Sequence, residues 1–133
     1  MDAFKTAIVV SSDILEAIRE VPGRKLTFDN GNAFTGGKDP AASFARCAEH
    51  VVHAHFKDWT AVPAGEGLER MNGKWCQAAL IGEGAVDQAA CLTAMAAAAY
   101  QGYINIEYEG DQYSADFAAR KAAACLRGIV QGL

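Results

Sequence analysis

The chain has 133 residues, is 51% hydrophobic and 21% charged, and carries a formal net charge of −4. That length suits one domain with a real core, so residues 1–133 are read as a single domain. The composition excludes a disordered tail, a collagen-like repeat and a disulfide-dense miniprotein. A mildly acidic balance gives no global electrostatic help in binding nucleic acid or an anionic membrane, so neither is expected as a partner.

The opening MDAFKTAIVVSSDILEA lacks a basic n-region, and its apolar run over residues 7–10 is too short for a signal peptide. No stretch approaches the roughly 20 apolar residues of a membrane span. The four cysteines, Cys47, Cys76, Cys91 and Cys125, form no CxxC pair; three of them sit in helix-like segments and read as small buried hydrophobes, and reduced thiols are the expectation. A cytoplasmic location is the expectation.

Strand-like and helix-like segments alternate along the chain. Residues 13–21 read as a helix: Asp13 and Glu16 have N-cap and N3 spacing, Ile14, Ile18 and Val21 form a stripe, and Pro22-Gly23 stops it. Residues 25–29 read as a strand, followed by a Gly/Asn loop, NGNAFTGGK. Asp39-Pro40 starts a second helix, with an acid at the N-cap and proline at N1. Phe44, Cys47, Ala48 and Val51 are spaced to face one side.

A strand is expected over 51–57, then an irregular region over 58–84 with a short strand at 75–81. A third helix over 87–100 is closed by Gly102 at C′. A third strand covers 103–109. Ser114 caps a last helix bearing Phe117, Ala118, Ala122, Cys125, Leu126 and Ile129. This alternation predicts an α/β fold with a parallel sheet and helical crossovers.

Side chains alternate across a strand with period two. Leu26 and Phe28 therefore oppose Thr27 and Asp29. Val52, Ala54 and Phe56 oppose His53, His55 and Lys57. Ile104, Ile106 and Tyr108 oppose Tyr103, Asn105, Glu107 and Glu109. Each strand has an apolar face for helices and a second face with ionisable groups late in the strand, at the edge where α/β folds place their sites. Asp29, His55 and Glu107 are expected to converge on one rim. Mixed oxygen and nitrogen donors suit Mn²⁺, Mg²⁺, Co²⁺ or Zn²⁺. The competing reading is a solvated sheet face, or isolated polar residues satisfied at strand ends.

The segments LTFDNGN, HAHFKD, IGEGAVD and YQGYINIEYEG occur in this order. Together they resemble the sugar phosphate isomerase/epimerase family, the xylose isomerase-like TIM barrels. The resemblance spans nearly the whole chain. It implies a partial (β/α) TIM barrel made of the last three parallel strands with alternating helices. A complete barrel needs roughly 250 residues.

The resemblance also implies a divalent metal held by Glu, Asp, His and Glu from four successive strands. Asp29 matches the second ligand, His55 the third and Glu107 the fourth. The first, a glutamate on the preceding strand, has no counterpart. Segment 4–18 resembles the stretch just after that strand, and Glu16 and Glu20 lie on the first helix. The implied chemistry is proton transfer next to a carbonyl through an enediolate-like intermediate. Metal supplies Lewis acidity and two carboxylates exchange the proton. Glu107 would be one of that pair. With its counterpart missing, the chain alone is expected to have little or no isomerase activity.

Four further residues are candidates for contact with a sugar or sugar phosphate. Asn32 stands on the loop above the rim, as a substrate contact or a turn residue. Lys57 shares the inward face of His55, as a hydroxyl or phosphate binder or as a salt bridge to a carboxylate. His53 lies one layer deeper, beside the site or as a satisfied interior histidine. Glu83 helps close the site or belongs to a solvated turn. Asp58 orients or caps, and Trp59 and Trp75 flank a loop that covers a sugar face or simply packs.

These residues support three functional readings. The first is a fragment or subunit of a metal-dependent sugar isomerase or epimerase. The second is a non-catalytic half-barrel that self-associates or complements a chain supplying the missing strands, because open sheet edges invite pairing. The third is an endonuclease IV-like DNA-repair enzyme, disfavoured by the acidic balance and the shortage of ligands.

Overall fold

The computed structural model describes residues 11–133. The opening segment, on which the expectation of no signal peptide rests, therefore lies mostly outside the described residues. Elements run in the order α1 (Ser11–Glu20), β1 (Leu26–Asp29), α2 (Asn30–Thr35), α3 (Pro40–Cys47), a 3₁₀ turn (Ala48–His50) and β2 (Val51–Phe56). After these come β3 (Asp58–Val62), β4 (Leu68–Glu69), β5 (Trp75–Ala79), α4 (Gln88–Ala97), β6 (Tyr103–Ile106) and α5 (Ala115–Gln131). None of the described helices is long and apolar enough to cross a membrane.

The frame is a parallel sheet in the order β1-β2-β6. Helical crossovers lead from strand to strand, as the alternation predicts. Asp39 begins α3 by accepting from the Ala42 amide at 2.7 Å, with Pro40 in the first turn. Asp87 and Ser114 do the same for α4 and α5. The apolar side of the sheet packs Phe28, Ala54 and Phe56 against Phe44, Cys47, Cys91, Leu92, Met95, Ala122 and Leu126. Phe28 and Phe44 meet edge to face at 5.3 Å, a preferred aromatic geometry.

Several expectations need correction. The segment after β1 is not a loop but the short helix α2. Asp29 stays extended and its carboxylate accepts the Asn32 amide, so Asn-Gly here opens a helix instead of a turn. Asp13 lies inside the first turn of α1 rather than capping it. Residues 58–84 are not irregular: β3, β5 and β4 form a second, antiparallel sheet.

Val52 does not join the apolar face. The β1–β2 register passes from Leu26↔Val51 to Thr27↔His53, so one residue of β2 is bulged out. Val51 takes the core position and Val52 is 52% exposed. On α5, Phe117 is likewise exposed.

Helix α4 ends earlier than expected, and the left-handed residue after it is Ala99 (φ 53°), not Gly102. Gly102 has a different reason: a Cβ there would stand 2.7 Å from the Val52 carbonyl oxygen. Strand β6 stops at Ile106, leaving Glu107 just past its end.

Candidate metal centre

The polar side of the parallel sheet carries the site. Asp29 closes β1, and its register partner is His55 on β2. His55 in turn pairs with Asn105 of β6. The ladder runs one step further, because the Glu107 amide donates to the Phe56 carbonyl at 2.9 Å. Parallel register thus delivers three side chains from neighbouring strands to the carboxyl end of the sheet. One donor atom from each of Asp29, His55 and Glu107 lies within 4.8 Å of the others.

Each donor is held. Asp29 Oδ1 accepts the Asn32 amide at 2.8 Å, so the residue that caps α2 is also fixed at the rim. His55 Nδ1 stands 2.6 Å from Glu107 Oε1. Lys57 Nζ lies between the outer strands, 3.1 Å from Asp29 Oδ2 and 2.7 Å from Glu107 Oε2, and it also bonds Glu109 Oε1. Its side chain is only 5% exposed.

The electrostatics reflect this packing. Burial raises the Asp29 carboxyl above the ordinary aspartate range, and the Lys57 charge only partly offsets it. Burial pushes Glu107 the same way, but hydrogen bonding and charge from Lys57, with help from His55, outweigh it and leave that carboxyl lowered. Burial alone would lower the Lys57 ammonium. Its bonds to Glu107 and Glu109 reverse the sign and hold it charged.

A buried polar network under the rim fixes the strand that bears His55 and Lys57. Asn30 Oδ1 accepts the Lys57 amide at 2.9 Å, and Asn30 Nδ2 donates to Gln88 Oε1 at 2.7 Å. Gln88 Nε2 donates to the Lys57 carbonyl at 3.1 Å. Gly31 lets α2 approach, since a Cβ there would sit 2.1 Å from Lys57 Cγ. Asp58, buried, accepts four amides: Trp59 and Val86 on Oδ1, Gly82 and Gly84 on Oδ2. It therefore orients the 82–86 loop, as its sequence position suggested.

The remaining candidates occupy different surroundings. His53 packs edge to face on His55 with ring centres 5.2 Å apart. Lys57 makes the carboxylate salt bridges that were one of its two readings. Asn32 gives its amide to Asp29, while its exposed side chain makes no hydrogen bond among the described residues. Glu83 is exposed in a turn closed on the Leu80 carbonyl at 2.9 Å, and its side chain has no ion pair or hydrogen bond among the described residues.

Trp59 does not serve as an exposed lid: it is buried with Cys76 and Val86 in a small second core. Asn30, Gln88 and Glu109 were not singled out as site residues. Only Glu109 carried a signal, its place on the ionisable face of the third strand.

Residues 3–129 match the profile of the family described as xylose isomerase-like TIM barrel. Among solved structures, a xylose isomerase domain protein from Planctomyces limnophilus superposes with a TM-score of 0.74 at 25% identity, over 96% of this chain and 44% of its own. A D-tagatose 3-epimerase-like protein gives 0.71 at 21% identity, over 98% of this chain and 45% of its own. A xylose isomerase-like TIM barrel protein from Mycobacterium smegmatis, solved in complex with magnesium, gives 0.68 at 15% identity, over 92% and 40%. These last two likenesses concern the fold. The chain spans less than half the length of the structures it matches. No curated protein matches it significantly. The parallel sheet, the helical crossovers and the profile match agree, and the chain belongs to the xylose isomerase-like TIM barrel family.

Proposed function

We propose that this chain supplies the metal-binding rim, and one of two proton-transferring carboxylates, of a divalent-metal-dependent sugar isomerase or epimerase. The observation that carries this reading is the convergence of Asp29, His55 and Glu107 at the carboxyl end of three parallel strands. On this reading residues 1–133 form one domain, the C-terminal part of a barrel. The four free thiols fit a cytoplasmic setting.

The residues fit such an ion. Two carboxylates and an imidazole are a donor set for Mn²⁺, Mg²⁺, Co²⁺ or Zn²⁺. Their donor atoms lie within 4.8 Å of one another, and opposite ligands of an octahedral ion with bonds near 2.1 Å are about 4.2 Å apart, so small side-chain shifts close the three on one ion. When bound, the ion supplies Lewis acidity toward a substrate carbonyl.

This chain's own residues do the rest. Glu107, held ionised by Lys57 and His55 in the metal-free rim, is the carboxylate that accepts a proton from the carbon next to the carbonyl. His53 supports the ring of His55. The exposed Asn32 side chain is free to meet a substrate hydroxyl, and Glu83 stands on the loop that Asp58 orders. A sugar or sugar phosphate is the proposed substrate class.

The test is a ketose epimerisation assay with Mn²⁺. The 133-residue chain is mixed with a chain bearing the preceding strands and their glutamate. Turnover by the mixture, little by either part, and a loss of at least a hundredfold in E107Q are expected. Turnover that survives E107Q contradicts the role given to Glu107.

The complementing half-barrel reading rests on a separate observation. Each flank of the parallel sheet carries an apolar groove. One runs along Ile14, Ile18, Val21 and Leu26, the other along Ile104, Ile106, Leu126 and Val130. By contrast, the described residues hold one three-donor group, fewer ligands than the endonuclease reading requires.

A further inference from the structure

The rim already contains a cation. Lys57 is not a surface lysine that swings into the site. Its backbone amide and carbonyl are pinned by Asn30 and Gln88, and its stem lies against Gly31. Its ammonium meets Asp29 Oδ2 and Glu107 Oε2 at 3.1 and 2.7 Å. The other oxygens of those two carboxylates are also engaged, Asp29 Oδ1 by the Asn32 amide and Glu107 Oε1 by His55 Nδ1. Every carboxylate oxygen of the triad therefore faces a proton donor. Without Lys57, Asp29 and Glu107 would be two partly buried like charges on either side of His55.

We propose that Lys57 is the resident counter-ion of the metal-free centre: it keeps Asp29 and Glu107 together and competes with a divalent cation for the same oxygens. The inference rests on the metal reading above. A divalent ion on these carboxylates stands beside a like charge in a partly buried setting, where repulsion is weakly screened. Binding therefore requires the ammonium to withdraw from Asp29 and Glu107. Glu109, outside the triad and with a side chain 48% exposed, is the partner on which it stays. Lys57 thus acts as a positioning residue whose charge sets how tightly the metal binds.

Two measurements with Mg²⁺ test this. In the ¹⁵N-labelled chain, the buried Lys57 ammonium gives a slowly exchanging NMR resonance, identified by its loss in K57M. Saturation with Mg²⁺ moves or removes it. By calorimetry, K57M binds Mg²⁺ at least tenfold more tightly than the unaltered chain. A resonance unchanged at saturation, or K57M binding no tighter, overturns the inference and leaves the metal reading standing. If neither chain takes up Mg²⁺, both fall together. Circular dichroism checks that K57M folds; if it does not, K57R, which keeps the charge but lacks the ammonium, identifies the resonance, and its response to Mg²⁺ in the unaltered chain decides alone.

Discussion

Asp58 carries a large structural load for a single side chain. Both of its oxygens are buried, and together they accept four backbone amides spread over residues 59–86. Replacing it by alanine leaves those donors without an acceptor. D58A is expected to lose about 3–5 kcal/mol of stability, the range for breaking a buried charged network, measured as a lower urea midpoint. A loss under about 1 kcal/mol would mean that water takes over the amides. The role of Asp58 was legible from HFKD and from its place at a strand end. The convergence of Asp29, His55 and Glu107 was legible too, because a period of two fixes which side chains share a face. Asn30 and Gln88 were not legible. They meet across 58 positions of sequence, and no local pattern announces such a contact.

At the scale of elements, what the sequence revealed depended on local chemistry. The caps Asp39, Asp87 and Ser114 each accept the amide three residues ahead, and α3 and α5 begin where Asp39 and Ser114 predict. Helix α2 was hidden because Asn-Gly favours turns, whereas here Asp29 caps the segment and Asn30 bonds Lys57 and Gln88 from within it. The antiparallel sheet was hidden because β4 has two residues and its pairing with β5 is set by loops rich in glycine.

Helix α4 also makes a pH prediction. Its Cys91 is fully buried, and burial pushes the thiol from 9.0 up to about 12. The folded chain keeps that proton while the unfolded chain releases it near pH 9. Stability from this group is therefore fully present below pH 9 and declines as pH rises toward 12, by at most about 1.4 kcal/mol per unit. Burial raises Cys47 and Cys76 in the same direction. Urea titrations between pH 8 and 10.5 are expected to show the decline, with a shallower slope in C91A. An equal slope in C91A would remove Cys91 as its source.

For the whole molecule, the central fact is geometric. Among the described residues, β1 and β6 each leave an unpaired edge, and apolar grooves run beside both. Yet the rim between those edges is assembled: register fixes the three donors, Asn30 and Gln88 pin the strand between, and Lys57 balances the charge. A site built this way does not need the rest of a barrel to bring Asp29, His55 and Glu107 together. The three parallel strands and the longer helices between them were visible in the sequence as alternation. The amount of barrel present was visible only as length set against what a full barrel requires.

The most direct measurement is Mn²⁺ binding by the purified chain, followed by calorimetry and compared with a D29N/H55A/E107Q variant. One Mn²⁺ per chain is expected, lost in the variant while circular dichroism still reports a folded protein. Equal uptake by the variant, or none by the unaltered chain, would contradict the metal reading.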